Sequence, residues 1–125
     1  MKWFWRASAL IIAAALFWAA TSDVVYEMTS PRALTFHVLL RKAYSIAAFA
    51  LVGFTADKAL GPSGRAGLRG AILVGVYSAA IELAQWLLGS KEGLVWNTID
   101  TLCGVAGGAL GVLVAMRITR SRRSA

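Results

Sequence analysis

The apolar positions of this chain fall into four runs of roughly 18 to 20 residues, separated by short polar stretches. A helix rising about 1.5 Å per residue needs that length to cross a hydrocarbon core of about 30 Å. The pattern therefore predicts four spanning helices at about 4–20, 43–60, 70–88 and 96–116. Gly61-Pro62-Ser63-Gly64 is a turn that no helix crosses, and 89–95 is a second short connection. Between the first two runs, 21–42 carries Asp23, Glu27, Arg32, His37, Arg41 and Lys42, with Pro31 after Ser30, and reads as an extramembrane loop. Inside it, 34–40 is apolar enough for a short interfacial helix or for the first turns of the second span, and the pattern leaves both open. After Met116 comes a basic tail, 117–125, containing Arg117, Arg120, Arg122 and Arg123. Lys2 and Arg6 ahead of the apolar 7–20 also match the layout of a cleavable secretory signal. Trp3, Trp5 and Trp18 bracket that run as interfacial anchors would, which favours a retained helix.

Composition sharpens this picture. Hydrophobic residues make up 58% of 125 positions and charged residues 15%, the reverse of what a small soluble domain needs to cover its surface. The expected fold is a single all-α domain, a polytopic transmembrane bundle of four helices. A net charge of +7 would point to nucleic acid in a soluble chain, but here the cations sit at the ends of the apolar runs, so no nucleic-acid partner is expected. Lys2, Arg6, Lys58, Arg65, Arg69 and the four tail arginines share one side, nine in all, against Arg32, Arg41, Lys42 and Lys91, four, on the other. Short loops rich in Lys and Arg stay in the cytoplasm, so both termini are expected there. Cys103 is the single cysteine, which excludes an intrachain disulfide, and its place inside the last run reads as packing. No internal repeat of the transporter kind is present, which argues against an alternating-access carrier.

The candidate chemistry lies in polar residues inside the apolar runs. Glu82 and Gln85 stand near the end of the third run, Asn97 and Asp100 at the start of the fourth, each pair three apart and hence on one helix face. Glu82 and Asp100 are expected at similar depth. Neighbouring antiparallel helices joined by a short loop bring such faces together, so one polar cluster opening to the outer side is predicted. Arg41 and Lys42 stand at the same level with Ser45 one turn below, and Lys42 is the expected partner of Glu82, since an unpaired carboxylate there costs at least a few kcal/mol. The simpler alternative is that these groups only staple helices together, at about 1 kcal/mol per hydrogen bond. Gly104 with Gly108, and Gly107 with Gly111, are small residues four apart that admit a neighbouring backbone, and read as helix packing. His37 has no Cys, His or Asp at ligand spacing and reads as a surface histidine, so neither metal nor cofactor is expected.

Glu82-x-x-Gln85 closing a third helix, then a short loop, then Asp100 opening a Gly-rich fourth helix resembles the VanZ-like family, over 41–111. In that family the fourth helix usually reads Asp, Asn four later and Gly seven later; Asp100 and Gly107 fit, whereas Gly104 replaces the Asn and Asn97 stands one turn earlier. The second helix there commonly opens with Asp-Lys followed by His and Tyr four apart. Aligned on Gly53, those positions hold Arg41-Lys42, Ser45 and Phe49, so the lysine alone survives. The resemblance implies a multi-pass protein of the bacterial cytoplasmic membrane, in a family whose namesake is associated with resistance to the glycopeptide teicoplanin. It implies no catalytic chemistry.

Three functions are open at this stage. The first is a non-enzymatic envelope protein whose outward-facing cluster (Glu82, Gln85, Asn97, Asp100, Lys42, Arg41 and Ser45) binds a lipid, an antibiotic or another amphipathic ligand. The second is a scaffold or assembly subunit whose Gly-rich helix meets another membrane protein or a second copy. The third, ranked last, is an intramembrane enzyme acting on a lipid-linked substrate with Glu82 or Asp100 as general acid or base, for which no nucleophile with a base at motif spacing is present.

Overall fold

The computed structural model describes residues 1–29, 36–61, 66–89 and 94–125, and these residues are helical with no strand among them. The helices are α1 (Lys2–Thr21), α2 (Asp23–Thr29), α3 (His37–Leu60), α4 (Ala66–Leu87) and α5 (Leu94–Ser124). All but α2 are long and apolar enough to cross a membrane, so the four expected helices are present.

Their ends differ from expectation. α3 begins at His37, which makes 37–40 the first turns of the second long helix and puts Arg41 and Lys42 inside it. The stretch read as a loop also holds α2, with sequence DVVYEMT. α5 begins at Leu94 and continues to Ser124, so the basic tail is helical instead of trailing. The reason is the same in each case: charge marks where a helix leaves an apolar medium, and a helix ends only where glycine, proline or a competing cap stops it. No Gly or Pro follows Gly111. By contrast, α3 stops at Gly61, whose φ of 79° reverses the chain while its N–H donates to Asp57 O at 3.1 Å. Beyond α4, Gly89 takes a φ of 89° and donates to Trp86 O at 3.1 Å. The rest of the 61–64 turn, Lys91, and residues 34 and 35 of the 34–40 segment lie outside the described residues.

α3 is the hub. It touches α1, α4 and α5, and its contact with α5 is the most extensive in the molecule. That contact is a backbone seam. A side chain at Gly53 would overlap the Gly108 backbone, one at Gly107 the Ile46 backbone, and one at Gly111 the Ala50 carbonyl. Across the other flank of α5, Gly108 meets Val74 and Gly104 meets Ser78 and Phe49. Two helices approach this closely only where small residues face each other, and the dispersion gained along such a seam substitutes for a hydrophobic drive.

Phe49, Val52, Val74 and Ile81 form the core, with Ile12, Leu16, Ala20 and Tyr77 packed against it. α1 has no buried residue of its own and joins the bundle through edges: the Trp5 and Phe54 rings meet at 6.0 Å and 72°, and the Tyr77 hydroxyl donates to Ala13 O. At the end where α3 closes, Lys58 lies along α5, donating to Thr119 Oγ1 at 2.6 Å and Ala115 O at 3.2 Å. Its neighbour Asp57 is buried at 7% exposure, and its Oδ1 finds no hydrogen-bond donor among the described residues. Large apolar side chains, among them Leu10, Ile11, Leu73, Val76, Leu102 and Leu113, point outward.

Candidate functional site

A cavity of about 270 Å³ opens at the end of the bundle where α4 closes and α5 begins. α3 supplies Arg41, Tyr44, Ser45, Ala48 and Phe49 to its wall, one and two turns apart on one face. α4 supplies Ile81, Glu82 and Gln85, and α5 supplies Asp100. α1 closes a side with Leu16, Ala19 and Ala20, and Val25 of α2 covers part of the rim.

The structure thus brings Arg41, Ser45, Glu82, Gln85 and Asp100 around one space. Lys42, matched by depth to Glu82, reaches across to α5, where its Nζ donates to Asp100 Oδ1. The side chains are 15% and 16% exposed, so the pair lies largely out of solvent, where a charge-assisted hydrogen bond is strong and its loss expensive. The seam brings this pair together: α3 lies against α5 more closely than against α4, so an α3 side chain on that flank reaches the α5 acid. Glu82 is half-buried on the cavity wall with its Oε2 buried.

Gln85 shows that lining and stapling coexist. Its Nε2 donates to Ala20 O at 2.7 Å, a carbonyl in the last turn of α1 that has no partner within its own helix. The amide therefore fixes the α1 wall and borders the cavity at once. Asn97 lies in the first turn of α5, and its side chain, like that of His37, lies outside the described residues. Among the described residues no three His, Cys, Asp or Glu side chains gather closely enough to hold a metal ion. Cys103 is a free thiol, half-buried on α5.

Sequence reasoning missed four contributors. Tyr44 carries a phenol on an otherwise apolar stretch and sits beside Arg41 on the cavity wall, a position its spacing from Ser45 does not reveal. The α1 wall and Val25 come from segments read as an anchor and a loop. Ser78 carries no signal that separates it from the other small residues of its run; it is 1% exposed and its hydroxyl donates to Thr101 O at 3.5 Å.

Taken together, the site is a mixed-charge hollow walled by five helices, with the Lys42–Asp100 bridge beside it and the Gln85 amide staple in its wall. No family model, no curated protein and no solved structure matches this chain.

Proposed function

We propose that this chain is a multi-pass membrane protein whose cavity faces the outer side and binds the polar head of an amphipathic envelope ligand, without catalysis. The observation that carries the reading is the cavity itself: charges of both signs from three helices converge on about 270 Å³ inside a bundle whose exterior is apolar. Ionisable groups held inside an apolar bundle are expensive, and function is the usual reason for keeping them. The nine-to-four distribution of Lys and Arg supports cytoplasmic termini and hence an outward cavity.

Volume narrows the ligand. Drug-sized sites run from about 300 Å³ upward, so this hollow suits a headgroup and not a whole glycopeptide antibiotic. An effect on teicoplanin susceptibility would then pass through lipid or precursor binding. A divergent VanZ-like relationship is compatible with the packing: where that family has an Asn, any side chain at 104 would overlap Ser78, so Ser78 and Gly104 together occupy the space.

Two observations weigh against the other readings. The glycines offered for a partner helix, Gly104, Gly107, Gly108 and Gly111, are each covered by α3 or α4 of the same chain. Ser45, the hydroxyl a nucleophile would need, makes no hydrogen bond to a base among the described residues, and Asp100 is held by Lys42.

Native mass spectrometry of the purified protein tests the proposal. Wild type is expected to carry a defined lipid or amphiphile that the Glu82→Gln, Asp100→Asn double variant loses while keeping its melting transition. Identical adducts on both proteins, or none on wild type, would sink it.

A further inference from the structure

The end of the bundle opposite the cavity carries charge of nearly one sign. Lys58 of α3 reaches Ala115 and Thr119 of α5 there, a side chain at Gly67 of α4 would meet Met116, and one at Gly61 would meet Lys2 of α1. Both termini therefore lie at this end. Arg6, Arg69, Arg117, Arg120, Arg122 and Arg123 are exposed on it, and among the described residues none of the six has a side-chain hydrogen bond or ion pair. The one acidic side chain at this end, Asp57, is 7% exposed, so no acid stands among the arginines at the surface. Taking the chain as a membrane protein, and independently of the cavity, we infer that this face binds the phosphates of anionic lipids, with the projecting end of α5 as its main host.

The shape of that projection selects the partner. Past Thr119, where Lys58 holds it, α5 continues to Ser124 with no hydrogen bond to another helix among the described residues. From Arg117 to Arg123 the helix rises about 9 Å, and the headgroup layer on each side of a bilayer is about 5–8 Å deep, so all four guanidinium groups come within reach of lipid phosphates. At about 100° per residue, Arg117, Arg120 and Arg123 follow one flank while Arg122 stands on another, so the cations ring more than half of the helix. Ile118 is the single large apolar side chain in 117–124, which leaves no apolar face to lay the segment flat in the interface. The result is an upright helix that gathers phosphates from several lipids around it, each guanidinium offering the planar fork that phosphate oxygens accept. Like charges three apart weaken an isolated helix, and phosphates between them remove that repulsion. A soluble polyanion would have to displace phosphates that already surround the helix at far higher local concentration.

Retention from a defined mixture tests this. The full chain is reconstituted in nanodiscs holding equal amounts of choline and glycerol phosphodiester lipids, and the lipids that stay on it after release into the gas phase are counted. Nanodiscs expose both faces, so the direction of insertion in the cell does not enter the count. Wild type should keep the anionic glycerol lipid about fivefold over the choline lipid, the factor that one cation near an anionic surface supplies. Replacing Arg117, Arg120, Arg122 and Arg123 with Gln should bring that preference close to parity, and replacing all four with Lys, which keeps the charge, should preserve most of it. Both variants should melt with wild type, since these side chains hold no partner within the bundle. The Glu82→Gln, Asp100→Asn variant should keep the full preference, which separates this face from the cavity. An unchanged preference in the Gln variant would overturn the inference and leave the membrane reading standing, whereas failure of well-folded protein to enter nanodiscs would remove both. Release of the anionic lipid by micromolar RNA would overturn it in favour of a soluble polyanion.

Discussion

Lys42 and Asp100 form the ionic bridge that joins α3 to α5 beside the cavity. Removing one member of a largely buried pair strands the other charge, whereas replacing both with apolar residues of similar size removes two desolvation penalties together. Lys42→Met and Asp100→Leu are each expected to destabilise by up to about 3 kcal/mol, and the double variant to return within about 1 kcal/mol of wild type. Thermal melting of the four proteins in one detergent checks this, and additive losses would show that the pair is not coupled. At this scale the sequence was partly legible. The spacing of Glu82 with Gln85, and of Asn97 with Asp100, identified the polar faces because three-residue spacing is a property of any helix. That Lys42 reaches Asp100 was not legible, because it depends on how far α3 slides along α5, a register set by contacts between residues distant in the chain. Asp57, at the end of an apolar run, resembles an ordinary boundary charge, and nothing in the pattern reveals that it is buried with no donor for its Oδ1 among the described residues.

At the scale of elements, hydropathy located every long helix and misjudged several ends. Helix α3 starts at His37 and α5 runs to Ser124 because helix formers continue past the apolar run. The measure reads the thickness of an apolar medium, and hydrogen bonding along the backbone does not stop there. α5 would extend about 46 Å at 1.5 Å per residue, beyond the roughly 30 Å of a hydrocarbon core, so its arginines ride on a rigid continuation. Packing between elements was legible only as a list of small residues, and their partners came from the structure. The seam makes a sharp contrast testable. Gly111→Val forces a side chain into the Ala50 carbonyl and is expected to cost about 1–3 kcal/mol or more. At Gly75 an added Cβ meets only Val105 Cγ2 at 3.7 Å, so Gly75→Ala should instead stabilise by about 0.5–1 kcal/mol through the reduced freedom of the unfolded chain. Melting temperatures shifting in opposite directions would bear out the seam; equal shifts would contradict it.

For the whole molecule, the distribution of cations predicts an arrangement that labelling can read. With Cys103 replaced by serine and single cysteines introduced at position 3, 27 or 123, all exposed, a membrane-impermeant maleimide added to intact cells should modify position 27 alone. Labelling at 3 and 123 with protection at 27 would invert the topology and turn the cavity inward. The placement of α1 was not legible, since none of its residues is buried and its pattern does not say which neighbour it joins. It is held at its edges, by Tyr77 at Ala13 and by Gln85 at Ala20. The seam has a further consequence in the language of mutation and selection. A half-buried acid or amide on the cavity wall has a near-isostere within one or two nucleotide changes, but a glycine pressed against another backbone has no smaller alternative among the amino acids. Random mutagenesis should therefore find its most intolerant stripe along Gly53, Gly107, Gly108 and Gly111, which are buried between helices. Divergence should proceed around that stripe, leaving a conserved scaffold beneath a cavity whose lining is free to change.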